Sequence, residues 1–222
     1  MKLTTAFSVS ASLALLAVAP SHANEQDSNA SAAKTELRQI FDELSTLQAD
    51  FTQQVVDANG ELVQELKGHL AMATPNQFFW QSDAPDELVL VADGRTVYYY
   101  DPFVDQVTLS DQAAASAQSP FLLLLDAQAS AWADYKVSKT ELSYQLEPTA
   151  ANADQQALQI NFAATDTPDE MVLDSLLLDD GQGQVTHIEL ANVQVDKAVP
   201  YSLFSFEIPA TAVVDDQRAA QN

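Results

Sequence analysis

The most informative part of the sequence is Val91-Ala-Asp-Gly-Arg-Thr-Val-Tyr-Tyr-Tyr-Asp-Pro-Phe-Val-Asp-Gln-Val-Thr108. It combines two apolar strand segments, a rigid turn at Asp101-Pro102 and a row of three tyrosines. No group of catalytic type accompanies these aromatic residues. The pattern is therefore typical of the wall of a structure or binding site, and not of a catalytic centre.

The segment that precedes this stretch predicts a hairpin. Apolar and polar residues alternate from Phe51 to Val55 and from Leu62 to Leu66, and Asn59-Gly60 between them supplies the positive φ of a tight turn. Because many short strands are joined by short turns, we predict a meandering antiparallel sheet. The further predicted strands are Phe78–Ser82, Leu88–Ala92, Thr96–Asp101, Gln106–Leu109, Tyr135–Thr140, Leu142–Glu147, Ala157–Ala163, Met171–Asp179, Gln184–Val195 and Leu203–Ile208.

Two regions have helical character. Apolar residues recur at helical spacing between Leu37 and Leu47, which predicts an amphipathic helix over about residues 34–47. Ser119-Pro120 suits the start of a second, short helix that contains the apolar run Phe121–Leu125, and a further helical turn is predicted at Ala131-Trp132-Ala133. A helix that is apolar on every side must be buried, in the core or against a ligand that arrives later.

The composition fits one domain with its own core, because the chain has 222 residues of which 47% are apolar. The 9 Lys+Arg and 32 Asp+Glu residues give a formal charge of −23, with the acids scattered along the chain. This charge repels phosphates, so we expect no nucleic-acid partner. It also favours a soluble monomer.

The N-terminus resembles a secretory signal. Lys2 precedes a short apolar run, and the small residues Ser21 and Ala23 suit signal peptidase, which predicts a signal peptide over residues 1–23 that is cleaved after Ala23. Residues 24–33 are small and polar and are predicted to be a flexible lead-in to a domain over residues 34–222. The sequence contains no cysteine, which excludes disulfides and a lipid attached to the chain's own N-terminus. We expect an exported, soluble protein.

The sequence offers little for catalysis. It has no G-x-S-x-G elbow, no phosphate-binding glycine loop and no H-E-x-x-H motif. His69 and His187 lie in separate predicted strands, and acid pairs such as Asp86-Glu87 lie in predicted turns, where solvated carboxylates are the simpler interpretation. We therefore predict no catalytic residue, no metal site and no cofactor.

The apolar residues are the remaining candidates for a site. Alternate positions on a half-open sheet present one apolar face, and residues of the two helices cover it like a lid. An ordinary hydrophobic core is the alternative interpretation of the same residues. The candidate cavity and lid residues are Phe41, Leu44, Phe51, Leu66, Phe78, Trp80, Leu90, Tyr98, Tyr100, Phe121, Leu122 and Leu124.

A series of segments supports the first interpretation. In chain order they are Ala49-Asp-Phe-Thr-Gln-Gln54, Asn59-Gly60 with Val63-Gln-Glu65, Thr74-Pro-Asn-Gln-Phe-Phe-Trp80, Pro85-Asp-Glu87, the stretch from Val91 to Gln106, Ser119-Pro-Phe-Leu-Leu123, Trp132 with Tyr135, and Val214-Asp-Asp-Gln217. The series resembles the periplasmic outer-membrane lipoprotein carrier family, LolA. Only residues 150–199 match that family loosely.

The resemblance implies an incomplete antiparallel β-barrel, closed by a lid of short helices, around a hydrophobic cavity for the acyl chains of lipoproteins. It also implies two partners, an inner-membrane ABC complex that releases lipoproteins and an outer-membrane acceptor of similar fold. By resemblance, Phe78 matches a cavity-lining aromatic residue, Phe41 a lid-facing apolar residue of the first helix, and Leu124 an apolar residue of the second helix.

The chain departs from the family at Thr74. The family commonly has arginine before Pro-Asn, where it bonds to the lid backbone, and threonine is too short for this. The lid is therefore latched differently or opens more readily. Two other hypotheses remain: a lipid-anchored acceptor of similar fold, which requires a cysteine, and an exported hydrolase or inert β-module.

Overall fold

The computed structural model describes residues 22–118, 120–150, 155–167 and 171–218. Residues 1–21 of the predicted signal peptide and the predicted N-cap Ser119 lie outside the described residues. The helices are α1 (His22–Glu43), α2 (Gln112–Gln118) and α3 (Pro120–Leu123), with 3-10 helices at Ser130–Asp134 and Tyr201–Phe204. The strands are β1 (Thr46–Val56), β2 (Leu62–Ala73), β3 (Gln77–Ser82), β4 (Val89–Asp93), β5 (Thr96–Asp101), β6 (Gln106–Asp111), β7 (Tyr135–Thr140), β8 (Ser143–Pro148), β9 (Ala157–Ala164), β10 (Met171–Asp179), β11 (Val185–Val195) and β12 (Val213–Asp216).

The described strands form one 12-stranded sheet in the order β12-β6-β5-β4-β3-β2-β1-β11-β10-β9-β8-β7. Two meanders, β1 to β6 and β7 to β11, are joined by the antiparallel pairing of β1 with β11. The tight turn predicted at Asn59-Gly60 is confirmed: Gly60 has φ +78° and its amide donates to the Asp57 carbonyl at 2.9 Å. Neighbouring strands are thus mostly consecutive in sequence, as predicted.

The sheet curls around a single apolar core. Phe78 of β3 and Ile160 of β9 come from opposite halves of the sheet, yet both are buried in one cluster. The two end strands, β7 and β12, do not pair with each other, and α1 packs along β7. The prediction of an incomplete barrel covered by short helices is confirmed.

The first helix differs from its prediction at both ends. It begins at His22, so residues 24–33, predicted as a flexible lead-in, are helical in the structure. Alanines at positions 30, 32 and 33 favour helix, and Ala33 is buried in the core. The helix ends at Glu43. Leu47, predicted at its end, lies in β1, where the leucine side chain is buried on the inner face of the sheet.

The C-terminal region was also predicted wrongly. Residues 203–208 form no strand: Tyr201–Phe204 is a 3-10 helix, and the chain from Ser205 to Pro209 has no ladder pairing. Pro200 and Pro209 flank this segment, and neither can donate to a ladder. The segment packs across β3 and β4, after which β12 pairs with β6 in parallel, the exception to the antiparallel pattern.

Candidate functional site

The inner face of the sheet is built by the two-residue alternation of strands. In the register of β2, β3 and β4, Leu70 lies opposite Trp80, and Trp80 lies opposite Leu90. Side chains directly opposite each other point to the same face. Alternation therefore brings Phe78, Trp80 and Leu90 to the concave side of the sheet.

Four aromatic rings form the centre of this face. Phe51 and Trp80 are stacked, with ring centroids 3.6 Å apart and an interplanar angle of 24°. Phe121 of α3 meets Phe78 edge-on at 5.0 Å and Trp80 edge-on at 6.3 Å. Edge-on and offset geometries are the favourable arrangements of aromatic pairs, so these rings bind the helix to the sheet.

A cleft of about 320 Å³ lies beside these rings. It occupies the half of β1, β2, β10 and β11 that is nearer the Asp57–Glu61 turn, and it is lined by Gln53, Gln64, Leu66, Phe78, Trp80, Leu88, Val89, Leu90, Tyr99, Phe121, Leu178, Thr186 and Ile188. The size is near the lower end of ligand pockets, roughly 300–1,000 Å³. Most of the apolar interior is filled by the protein's own side chains.

Ten of the twelve predicted cavity and lid residues belong to or pack against the one core cluster. Six of them are buried and four are partly exposed. The buried residues are Phe41, Phe51, Leu66, Phe78, Leu122 and Leu124, and the partly exposed ones are Leu44, Trp80, Leu90 and Phe121.

The two tyrosines that complete the predicted set lie on the opposite face of the sheet. Tyr98 and Tyr100 pack against Phe206 of the C-terminal segment, with ring centroids 5.6 and 5.9 Å apart. Their placement in the cavity was wrong, because the turn between β4 and β5 pairs Leu90 with Tyr99. Tyr99 therefore faces the cleft and its neighbours face outward.

Several cleft residues were missed by the sequence analysis. Leu178, Thr186 and Ile188 come from β10 and β11, within the region that matched the family only loosely. In β10 the buried pair Ser175 and Leu176 is followed by two half-buried leucines, so the sequence Leu176-Leu-Leu178 carries no two-residue period that would mark its inner face. The pairing of β11 with β1 is what brings this face to the cleft.

The structure covers the inner face with residues 112–118 and 120–134, which we call the lid. The lid contains α2, α3 and the 3-10 helix at Ser130–Asp134. Leu122, Leu123, Leu124 and Trp132 are buried in the same cluster as the sheet residues. The short helix predicted at Phe121 and the turn predicted around Trp132 are both confirmed, and α2 was not predicted.

The beginning of the lid is anchored by one buried amide side chain. Gln112 is 5% exposed. Its Oε1 accepts from the Gly94 amide at 2.9 Å, and its Nε2 donates to the Asn76 carbonyl at 2.8 Å. These bonds fix the start of α2 to two turns of the sheet.

Two cations of α1 bind the far part of the lid. The Lys34 Nζ donates to the Trp132 carbonyl at 2.8 Å, and the Arg38 Nε donates to the Ala127 carbonyl. Arg38 also reaches the side chain of Gln128 at 3.5 Å. Burial lowers the pKa of Lys34, and repulsion from the charge of Arg38 makes a smaller contribution in the same direction. Both cations thus lie close together at the covered surface of the helix.

Thr74, predicted at the latch position of the family, bonds away from the lid. Its hydroxyl donates to the Ser45 carbonyl at 3.4 Å, and its amide donates to the same oxygen at 3.1 Å. The lid is instead reached two residues later, where the Asn76 amide donates to the Leu125 carbonyl at 3.2 Å.

The histidines and acids that the structure describes form no metal centre. Among the residues that the structure describes, no group of three or more His, Asp or Glu side chains is placed to hold a metal ion. His69 Nδ1 lies 2.6 Å from Asp50 on the exposed surface. A hydrogen bond from Asn192 and a second from His69 lower the pKa of Asp50. Within the described ranges, no helix is both long enough and apolar enough to span a membrane.

Comparisons with known proteins agree with this geometry. The profile of the family described as "Outer membrane lipoprotein carrier protein LolA" matches residues 42–207. The outer-membrane lipoprotein carrier protein of Vibrio parahaemolyticus is 37% identical over 190 residues, covering 86% of this chain and 88% of that protein. Its counterpart in Shewanella halifaxensis is 34% identical over 186 residues, covering 84% of this chain and 86% of that protein.

A solved structure shares the fold. The LolA superfamily protein from Nitrosomonas europaea superposes with a TM-score of 0.50 at 10% identity, covering 80% of this chain and 98% of that one. The resemblance read from the sequence motifs is confirmed. This chain belongs to the LolA family of outer membrane lipoprotein carrier proteins.

Proposed function

We propose that this protein is a soluble periplasmic carrier that encloses the acyl chains of lipoproteins beneath its lid and delivers them to the outer membrane. The observation that carries the proposal is the single apolar inner face, with four aromatic rings and a cleft, closed by a lid that is joined to it by side-chain contacts. The names of the Vibrio and Shewanella relatives support the same function.

The filled interior has an energetic purpose in this proposal. An acyl chain of about 16 carbons gains roughly 12 kcal/mol when it leaves water, because each methylene contributes about 0.8 kcal/mol. Binding of that strength would oppose release. In this protein the acyl chain must displace lid residues such as Phe121 and Leu122. The lost lid contacts therefore offset part of the free energy that the acyl chain gains by leaving water. Uptake and release then stay nearly balanced.

The partners in this proposal are an inner-membrane ABC complex that releases lipoproteins and an acceptor at the outer membrane. The protein reaches the periplasm through a signal peptide that is removed after Ala23. Carriage requires no bond to be made or broken, so the protein acts without catalysis. The relatives' names favour a carrier over a hydrolase or an inert module. A lipid-anchored acceptor is disfavoured because the sequence has no cysteine.

A release assay tests the proposal. Energised inner membranes that hold a labelled lipoprotein are mixed with the purified protein, and the label in the soluble phase is measured. Leu90→Glu places a carboxylate at the cleft, where desolvation by an acyl chain costs several kcal/mol, and should abolish release. Leu203→Glu alters a leucine of similar exposure on the outer face and should release normally. Equal release by both variants would contradict the proposal.

A further inference from the structure

We infer that Lys34 and Arg38 are positioning residues that hold the lid closed, and that breaking their bonds to the lid backbone is a step in opening the cavity. The inference rests on the proposed function only in taking the ligand that enters the open cavity to be an acyl chain. The closed state itself is a property of the unliganded protein.

The contacts are concentrated on one stretch of the lid. Three donors from outside the lid bind its carbonyls between residues 125 and 132: the Asn76 amide at Leu125, the Arg38 guanidinium at Ala127 and the Lys34 ammonium at Trp132. The two cations lie one helical turn apart on α1. They extend the row of donors beyond Asn76.

The helix that carries these cations is fixed to the sheet. Leu37 and Phe41 of α1 are buried at 0% and 3% exposure. On another face of the helix, Glu36 accepts from Lys139 of β7 at 2.6 Å, and this hydrogen bond lowers the pKa of Glu36. Because α1 is held to the sheet at these points, the lid is the element that must move when the bonds from Lys34 and Arg38 to the lid break.

The polar bonds distinguish the closed state from the filled state, whereas the apolar contacts do not. An incoming acyl chain replaces the contacts that Phe121 makes with the sheet, because one apolar surface is exchanged for another. It brings no hydrogen-bond donor to the carbonyls of Ala127 and Trp132. Together with the Asn76 amide, the two cations therefore favour closure in a way that the ligand cannot restore.

The arrangement accounts for the departure at Thr74. That residue bonds to Ser45 through both its hydroxyl and its amide, so it does not take the place of the arginine that latches the lid in the family. Lys34 and Arg38 supply charge-assisted bonds to lid carbonyls from α1, whereas the family arginine would reach the lid from the position of Thr74. Losing one such bond should raise the ratio of open to closed lid about tenfold.

Amide hydrogen exchange of the unliganded protein tests the inference. The Asn76 amide is bonded to the Leu125 carbonyl, so its exchange reports the moments when the lid leaves the sheet. Arg38→Gln and Lys34→Gln should each lower protection at Asn76 about tenfold, and Arg38→Lys should restore part of it. Protection within the ladder of β2 and β3 should not change, because those strands do not depend on the lid bonds.

The matched control is Arg218→Gln. It removes the same charge from an arginine that pairs with Asp216 at 2.6 Å, outside the lid. The inference is overturned if Arg38→Gln and the control give equal protection at Asn76, or if the β2–β3 ladder loses protection in parallel with Asn76. Lost Asn76 protection in a protein whose wild type releases no lipoprotein would support the latch and contradict the carrier function instead.

Discussion

Removal of the Phe121 ring tests how much this side chain contributes to lid closure. This ring meets Phe78 at 5.0 Å and 77°, and Trp80 at 6.3 Å and 79°. Beyond the buried area that is also lost, each edge-on pair contributes about 0.5–1.5 kcal/mol, so in Phe121→Ala the two pairs together should weaken closure by about 1–3 kcal/mol. Such a change corresponds to roughly 5- to 150-fold in the ratio of open to closed lid.

Hydrogen exchange at the Asn76 amide measures this ratio directly in the absence of ligand. Phe206→Ala is the matched control, because it removes an equal ring that contacts Tyr98 and Tyr100 at 5.6 and 5.9 Å on the outer face. We expect protection at Asn76 to fall at least about fivefold in Phe121→Ala and to stay at the wild-type value in the control.

Two results would refute this reasoning. Unchanged protection at Asn76 in Phe121→Ala would show that the ring fills the cleft without holding the lid. An equal loss in Phe206→Ala would show that Asn76 responds to general destabilisation. Thermal melts of both variants distinguish general destabilisation from an effect on the lid, since an effect on the lid leaves the melting temperature of the sheet nearly unchanged.

Three further predictions follow from single positions. Gly68→Ala should lower the melting temperature strongly, because a Cβ there would lie 2.0 Å from the Gln81 carbonyl oxygen; an unaltered melt would contradict the close approach of the strands. Burial raises the pKa of Tyr135 to about 12, so the stability it contributes is full below pH 10 and is lost between about pH 10 and 12. Tyr135→Phe should remove that alkaline loss, at most about 2–3 kcal/mol in unfolding titrations, and an unchanged pH profile would argue against it. Thr74→Ala should leave exchange at Asn76 within about twofold of wild type, since the Thr74 hydroxyl bonds away from the lid; a larger loss would mean that the threonine supports the latch.

Much of this protein is determined by short-range features of its sequence. Alternation placed strands β1 to β11 close to their observed positions, and Asn59-Gly60 determined the first turn. Phe51, Leu66 and Phe78 could be assigned to one face because each lies in a strand whose buried side is clear from its own period. The apolar run at Phe121 likewise predicted a buried helix, since no side of it suits water.

The face of the tyrosine row depended on pairing between strands. Tyr98, Tyr99 and Tyr100 are all amphipathic, so their own sequence does not indicate which parity faces inward. The turn that pairs Leu90 with Tyr99 decides it. A shift of one residue in that turn would have exchanged the two faces.

The closure of the cavity was decided by tertiary structure alone. Arg38 and Ala127 are 89 positions apart, and Lys34 and Trp132 are 98 apart, so no local pattern marks these cations as partners of lid carbonyls. A backbone carbonyl has the same chemistry whatever the residue, and the sequence therefore carries no sign of which one a distant cation will meet. The sequence determined strands β1 to β11, their first turn and the apolar run of the lid, whereas the curl of the sheet and the packing of α1 along β7 determined what holds the lid in place.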